Sequence, residues 1–410
     1  MVQKDLDGFF EKFLDKDPLF TNKKIIQSNY TPEEIPHRDK EIDAVANILA
    51  PAIRLERPSN IFIYGKTGTG KTLTVRYVLN RLQSICEKKL IPVKFVYINC
   101  KLKRVADTEY RLIAQIAHEL GEEEDEEKDK KIHSTGLPTD EVYKRFFERL
   151  PKKTKLLILI LDEIDQLVFK AGDEILYNLT RINSELKDCQ ISIIGISNDL
   201  IFSNNLDPRV KSSLSEEELV FPPYNAMQLQ DILRQRADLA FRKDGVEAGV
   251  IEKCSAYAAR EHGDARRALE LLRVAGELAE RTGSQKLQIK HLDMAEEKIE
   301  RDRLIDIVST QPKQHQVVLY SILTLYFTSK NKTLFTGDVY EYYKTLSKKT
   351  NLRPLTQRRF SDIIAELDML GIICAKVISK GRYGRTREIN IELPEQNLRN
   401  IEKLLEDIFN

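Results

Sequence analysis

The stretch that most restricts this chain is Gly65-Lys66-Thr67-Gly68-Thr69-Gly70-Lys71-Thr72. It lies between the apolar run Ile61-Phe62-Ile63-Tyr64 and a helix-like stretch from Leu73 to Ile85. Strand, glycine loop and helix in that order have the spacing of a phosphate-binding loop. The glycines let backbone N–H groups turn inward and come close to phosphate oxygens. The helix that follows offers its positive end to the same anion. Lys71 can reach the β- and γ-phosphates, and the Thr72 hydroxyl can ligate Mg²⁺. Gly68, Thr69, Gly70, Lys71 and Thr72 are therefore candidate nucleotide ligands. A chance match in a glycine-rich turn would lack the flanking order.

A chain of 410 residues is expected to hold two or three domains. Its 65 Lys and Arg nearly cancel 64 Asp and Glu, so any nucleic-acid surface must be local. Cys86, Cys100, Cys189, Cys254 and Cys374 are scattered without paired spacing, which fits reduced thiols in a cytoplasmic protein and no zinc site. The start, Met1-Val2-Gln3-Lys4-Asp5, has no signal-peptide core. No apolar run approaches the ~20 residues of a membrane helix, so no membrane partner is expected.

Phe9, Phe10, Phe13 and Leu14 read as a short amphipathic helix packed on the main body. Helical spacing runs from Glu41 to Ile53, and Pro51 should end or kink that helix. Val93 to Cys100 alternates as a strand, and Arg104 to Leu120 follows as a helix. The charge run from Glu122 to Lys131 cannot bury a core and reads as a solvated loop. Thr139 or Asp140 can cap a further helix to Leu150.

Leu156 to Leu161 is apolar throughout, as in a strand buried on both faces of a parallel sheet, and it closes on Asp162-Glu163. Ligands gather at the carboxyl ends of such strands. Asp162 would hold Mg²⁺ through water, and Glu163 would orient and deprotonate the attacking water. The competing reading is a helix cap. Ile191 to Ser197 is another buried strand, ending at Asn198, which either turns the chain or meets the γ-phosphate. Arg209 sits at a turn within Leu206 to Leu214; it caps a helix, faces solvent, or reaches a neighbouring subunit's nucleotide.

Phe221-Pro222-Pro223-Tyr224 reads as a linker into a helical region: Ala226 to Ala240, Val250 to Glu261, Asp264 to Glu280 and Ile289 to Arg301. Asp264 would cap the third of these and put Arg266 and Arg267 in its first turn. Arginines there oppose the helix dipole, which points to an anion opposite them; the competing reading, most of all for Arg267, is an exposed surface arginine. The last hundred residues change character. Helices run from Gln316 to Phe327, from Thr336 to Leu346, and from Thr356 to a stop at Gly371. Strands from Ile372 to Ser379 and Thr386 to Glu392 follow. This is the order of a winged helix-turn-helix. Its third helix would offer Thr356, Gln357, Arg358 and Arg359 to a major groove. Lys376, Lys380, Arg382, Arg385 and Arg387 make five bases with no acid between 376 and 387. Lys380, Gly381, Arg382, Tyr383 and Arg385 form a tip that can conform to phosphates. A solvated hairpin protected from edge pairing, or a protein-docking module, would look similar.

Together these residues resemble the archaeal replication initiators related to the origin recognition complex and cell division control protein 6, from about Tyr30 to the C-terminus. The resemblance implies an α/β fold: an AAA+ P-loop ATPase with a parallel sheet, a small helical lid and a C-terminal winged helix-turn-helix domain. Expected boundaries are 1–221, 222–303 and 304–410. Gly65 to Thr72, Asp162-Glu163 and Asn198 resemble the Walker A, Walker B and first sensor motifs, Arg209 the arginine finger, and Arg266 the second sensor at the γ-phosphate. Ile35, Pro36 and Arg38, with Tyr224, are implied to border adenine. The family's extra DNA-touching helical element should fall within about Lys101–Asp140, where the acidic Glu122 to Glu127 departs from its pattern. The implied cofactors are ATP or ADP and Mg²⁺. The implied partners are double-stranded origin DNA, an MCM-type replicative helicase and paralogous initiator subunits, in a nucleoid-associated setting with ATP as a slow switch. The alternatives are a winged-helix ATPase that regulates transcription and a non-catalytic DNA-binding module with ADP as a structural ligand.

Overall fold

Leu156 to Leu161 needs apolar cover on both sides, and it has it. In a computed structural model of the protein, strand β3 (Leu156–Asp162) is buried at every residue. The structure describes residues 17–27, 30–101, 108–121, 141, 143, 146, 154–184, 186, 189–202, 206–214, 216–329, 333–379 and 385–409. The chain divides into two compact units, residues 1–292 and 293–410.

In the first unit β3 lies inside a five-stranded parallel sheet with β1 (Ile61–Tyr64), β2 (Val93–Asn99), β4 (Gln190–Ser197) and β5 (Glu217–Val220). The strand order is β2-β3-β4-β1-β5. Pleating sends alternate residues to opposite faces. Leu156, Ile158 and Ile160 pack with Ile61, Ile63, Ile194 and Ile196 against two helices, α1 (Asp39–Leu49) and α2 (Lys71–Lys88). Leu157, Leu159 and Leu161 pack the other way, against α3 (Glu109–Gly121), α4 (Ile164–Ala171) and α5 (Glu174–Arg181). Each such fully buried side chain contributes about 1.5–3 kcal/mol relative to exposure. As Pro51 predicts, α1 ends at Leu49 and passes into a tighter turn, Ala50–Arg54.

The register brings the strand ends level. Tyr64 pairs with Ser197, Asp162 with Ile196, and Asn99 with Asp162. Gly65, Glu163 and Asn198, each the next residue along, therefore emerge together at the carboxyl ends of the strands. Helix α6 (Pro208–Leu214) precedes β5. Helices α7 (Ala226–Ala240), α8 (Val250–Arg260) and α9 (Ala265–Arg281) then form the lid. A reciprocal cap between Asn225 and Gln228 starts α7. The chain passes into the second unit within α10 (Ile289–Thr310). This helix continues past the expected end at Arg301, because no glycine or proline interrupts it before Pro312.

The second unit has a core shared by α11 (Lys313–Thr328), α12 (Thr336–Lys349), α13 (Gln357–Met369) and the terminal helix α14 (Glu395–Phe409). An antiparallel sheet ordered β6-β8-β7 joins them, from β6 (Leu334–Phe335), β7 (Cys374–Ser379) and β8 (Arg385–Asn390). Gly371 (φ +71°) stops α13. Phe9 to Leu14, the acidic run, residues 102–107 and the wing tip 380–384 lie outside the described residues. So does most of the helix expected to reach Leu150 and much of the span expected to hold the extra DNA-touching element.

Candidate functional site

The glycine loop closes β1 and opens α2 onto a cavity of about 350 Å³. Gly68 (φ +68°) and Gly70 (φ +88°) hold the left-handed conformation that favours glycine, and space forbids a side chain as well. A Cβ on Gly68 would stand 1.7 Å from Asp264 Oδ1, and one on Gly70 2.8 Å from the Tyr224 hydroxyl. Gly68, Thr69, Gly70, Lys71 and Thr72 all line the cavity. Lys71 is almost fully buried. Its Nζ donates to Gly65 O at 2.7 Å, Lys66 O at 2.8 Å and Asn198 Oδ1 at 2.9 Å. Burial pushes its ammonium down to about 8, against a pull upward from Asp162. A cation so desolvated, beside backbone N–H groups at a helix start, suits a polyanionic ligand.

Asp162 is clasped from several sides. Its Oδ2 accepts from the Thr72 hydroxyl at 2.9 Å and from the Tyr97 hydroxyl at 2.5 Å, and its Oδ1 from Glu163 N at 3.0 Å. A hydroxyl and a carboxylate oxygen at this spacing are hard donors that fit a small divalent cation such as Mg²⁺. Glu163 lines the cavity with φ 55°, ψ 48°, a left-handed conformation costing about 1–3 kcal/mol in a non-glycine residue. Lys101 Nζ lies 3.7 Å from its Oε2.

Ile35, Pro36 and Tyr224 line the cavity, as does Arg266. Asp264 caps α9 by accepting from the Arg266 and Arg267 backbone N–H groups. The two arginines then part: Arg267 pairs with Glu261 at 2.9 Å, and Arg266 faces the cavity. Arg38 lies behind the loop rather than in the cavity wall. Its guanidinium donates to Thr69 O at 3.0 Å and to Pro222 O at 2.6 Å, pairs with Glu41, and sits 4.0 Å over the Tyr224 ring. The stretch expected to be a linker is thus clamped to the loop, with Phe221 and Tyr224 buried. Arg209 stands away from the cavity, exposed and held bidentately by Asp207 at 3.0 Å. Its guanidinium keeps the Asp207 carboxyl down at about 2.

Several wall residues carry no motif: Tyr30, Arg76, Tyr97, Ile232, Arg236 and Leu269. Tyr97 reads as one more residue of an alternating strand. The available signal is parity, since Tyr97 shares a face with Asn99, which pairs with Asp162.

In the second unit, Thr356 caps α13 by accepting from Arg359 N, and Thr356, Gln357, Arg358 and Arg359 are all exposed. Arg359 pairs with Glu366 at 3.0 Å, and His315 holds the other oxygen of Glu366. Arg358 makes no ion pair among the described residues. Lys380, Gly381, Arg382 and Tyr383 lie outside those residues, and of Arg385 only the backbone, at the start of β8, is described.

Three domain models match this arrangement: an AAA domain over residues 54–200, the Cdc6 AAA+ ATPase-type lid domain over 230–297, and the CDC6 C-terminal winged helix domain over 306–401. The ORC1-type DNA replication protein of Pyrococcus furiosus is 53% identical over 97% of this chain and 93% of its own length. The chain belongs to the family of ORC1-type DNA replication proteins. A second member, ORC1-type DNA replication protein 1 of Methanosarcina mazei, is 49% identical over 98% of this chain and 94% of its own. Among solved structures, the Aeropyrum pernix ORC1 protein in complex with DNA superposes with a TM-score of 0.80 at 44% identity, covering 96% of this chain and 98% of that one. The expected fold class holds for this ORC1-type chain: AAA sheet, lid and winged helix are all present. Membership in that family also decides for the replication-initiator reading over the transcription-regulating alternative. The cavity lies at the glycine loop of the chain's AAA domain.

Proposed function

We propose that this chain is a nucleotide-switched initiator that recognises double-stranded origin DNA and helps to load an MCM-type replicative helicase. One observation carries the reading. A complete P-loop corner, in which Lys71, Thr72, Asp162, Glu163, Asn198 and Arg266 converge on one cavity, belongs to a chain that also has an exposed arginine-bearing helix in a winged domain. The DNA complex of the Aeropyrum pernix relative supports the DNA half of the proposal. Labour divides over residues 1–221 for nucleotide, 222–303 for the lid and 304–410 for duplex.

In the cavity, ATP or ADP phosphates meet the backbone N–H groups of Gly68 to Thr72 and the start of α2. Lys71 exchanges its carbonyl partners for phosphate oxygens. Thr72 and Asp162 would hold Mg²⁺, which would supply positive charge against the phosphates. Glu163 takes the proton of the attacking water. Asn198, already bonded to Lys71, reports the γ-phosphate from the sheet side, and Arg266 reports it from the lid. Ile35, Pro36 and Tyr224 flank the base, while Arg38 keeps the loop in shape from behind. Arg209, pre-oriented by Asp207 on the surface, serves the nucleotide of a neighbouring, paralogous subunit.

On DNA, Thr356, Gln357, Arg358 and Arg359 enter the major groove, while Lys380 to Arg385 meet the backbone. Contacts from two domains on one duplex can bend or underwind it, at a cost of a few kcal/mol. Footprinting on the organism's own replication start regions, with and without ATP, tests the proposal. A discrete protected segment that changes with nucleotide is expected. Protection confined to promoters, or none, would contradict it.

A further inference from the structure

We infer that Tyr97 is a positioning residue for the divalent cation: its hydroxyl holds the Asp162 carboxylate in the pose in which it shares the metal with Thr72. The inference rests on the nucleotide reading above and goes past it by assigning a residue outside every P-loop motif.

The placement follows from the sheet register. Tyr97 pairs with Ile160 and Asn99 with Asp162, so Tyr97 and Asp162 are diagonal neighbours on the α2 face of the sheet. A tyrosine is long enough to cross such a diagonal. The Tyr97 hydroxyl spans it and meets Asp162 Oδ2 at 2.5 Å, the oxygen that also accepts from Thr72 at 2.9 Å. Opposite, on α2, Thr72 and Arg76 are four residues apart and so stack on one helix face. The Arg76 guanidinium lies 4.1 Å from the centre of the Tyr97 ring. Thr72, Asp162, Tyr97 and Arg76 thus close a ring between one helix and two strands, and all four line the cavity.

The chemistry explains what the ring accomplishes. A carboxylate on a strand end can rotate about its last bond, and each rotamer presents different lone pairs to a cation. Glu163 N fixes Oδ1, and Tyr97 with Thr72 fixes Oδ2, which leaves one orientation. Thr72 donates its proton to Asp162 and so turns an oxygen lone pair outward. Arg76 over the ring restrains the phenol. Partners that orient a metal ligand in this way typically govern metal affinity by about 10–100-fold.

The test uses the full chain and Tyr97→Phe, which removes one oxygen and keeps the ring on Arg76. A fluorescent ADP analogue is titrated in EDTA and then with Mg²⁺. Mn²⁺ occupancy in the presence of ADP is followed separately by electron paramagnetic resonance. Metal-free ADP affinity should stay within about twofold, while the Mg²⁺ and Mn²⁺ midpoints rise by about tenfold or more. Asp162→Asn should lose as much, and the double variant little beyond that, since the two residues act as one unit. Unchanged metal midpoints in Tyr97→Phe, with the wild-type chain binding ADP and metal normally, would overturn the positioning role alone. An equal fall in metal-free and metal-bound ADP affinity would reduce Tyr97 to a packing residue and overturn it too. A wild-type chain that binds no nucleotide would overturn the reading beneath both.

Discussion

The Lys71 ammonium makes three hydrogen bonds to oxygens of its own chain, at Gly65, Lys66 and Asn198, and burial holds its pKa near 8. Removing the side chain deletes the one buried cation that the loop carries toward its ligand. Lys71→Ala is therefore expected to lose nucleotide binding outright in an equilibrium titration. Glu163 stands at the carboxyl end of β3 in a strained backbone conformation, and Glu163→Gln keeps its shape while removing its basicity. That variant should bind ATP like the parent and fail to hydrolyse it in a single-turnover assay; normal hydrolysis would sink the water-activation role. Residue by residue, the sequence exposes what chemistry requires at fixed spacing. It hides what geometry requires at long range. Lys71, Thr72, Asp162 and Asn198 are legible because a strand end or a glycine loop precedes each. The place of Arg38 is not, because its partners Thr69 and Pro222 lie 31 and 184 residues away.

Among the elements, the P-loop and the lid touch directly. Ala265 N donates to Gly68 O at 3.2 Å, and Asp264 stands where a Gly68 side chain would be. Asp264 also caps α9. Asp264→Ala should cost about 1 kcal/mol through the lost cap, read by denaturant unfolding. It should also weaken nucleotide binding more than that loss of stability explains, since Arg266 is no longer aimed. A pH response belongs to the same lid. Glu277 on α9 pairs with Lys23 at 2.8 Å and Arg273 at 2.6 Å. Burial pushes its carboxyl up, but Lys23 and Arg273 outweigh burial and leave it below the ordinary value of 4.5. A carboxyl lowered in the folded state adds stability that is complete above its unfolded pKa and disappears as pH falls through the folded one. Thermal unfolding scanned downward from pH 6 should therefore show a larger loss in the parent than in Glu277→Gln. Elements with strong periodicity were legible in advance, α13 and β3 above all. Strand β5 was not, because Glu217–Val220 is an edge strand with little burial and hence no alternating pattern. Nor was β6, whose two residues are too few to carry one. Helix α14 has clear spacing at Leu398, Ile401 and Leu405 but lies beyond the winged-helix order that accounts for the rest of its unit.

At the scale of the whole molecule, net charge is close to zero, so attraction to DNA has to come from placed groups, and the proposed ones are the start of α13 and the basic run from Lys376 to Arg387. Arg358 is already turned to solvent, whereas Arg359 has to be drawn from Glu366 before it can contact a phosphate or base. The fold itself needed no more than order to be read, since strand, loop, lid helices and wing come in sequence. Which residues meet across those pieces is decided by folding. The central claim, that a nucleotide-binding AAA unit is coupled to a hairpin gripping duplex through its phosphates, is tested most directly by the salt dependence of duplex affinity. The full chain carrying Arg382→Ala or Arg385→Ala would be compared with the parent by fluorescence anisotropy. Each substitution should weaken binding across unrelated sequences and flatten the slope of log K against log salt by about 1. Affinity and slope identical to the parent in both variants would contradict the account.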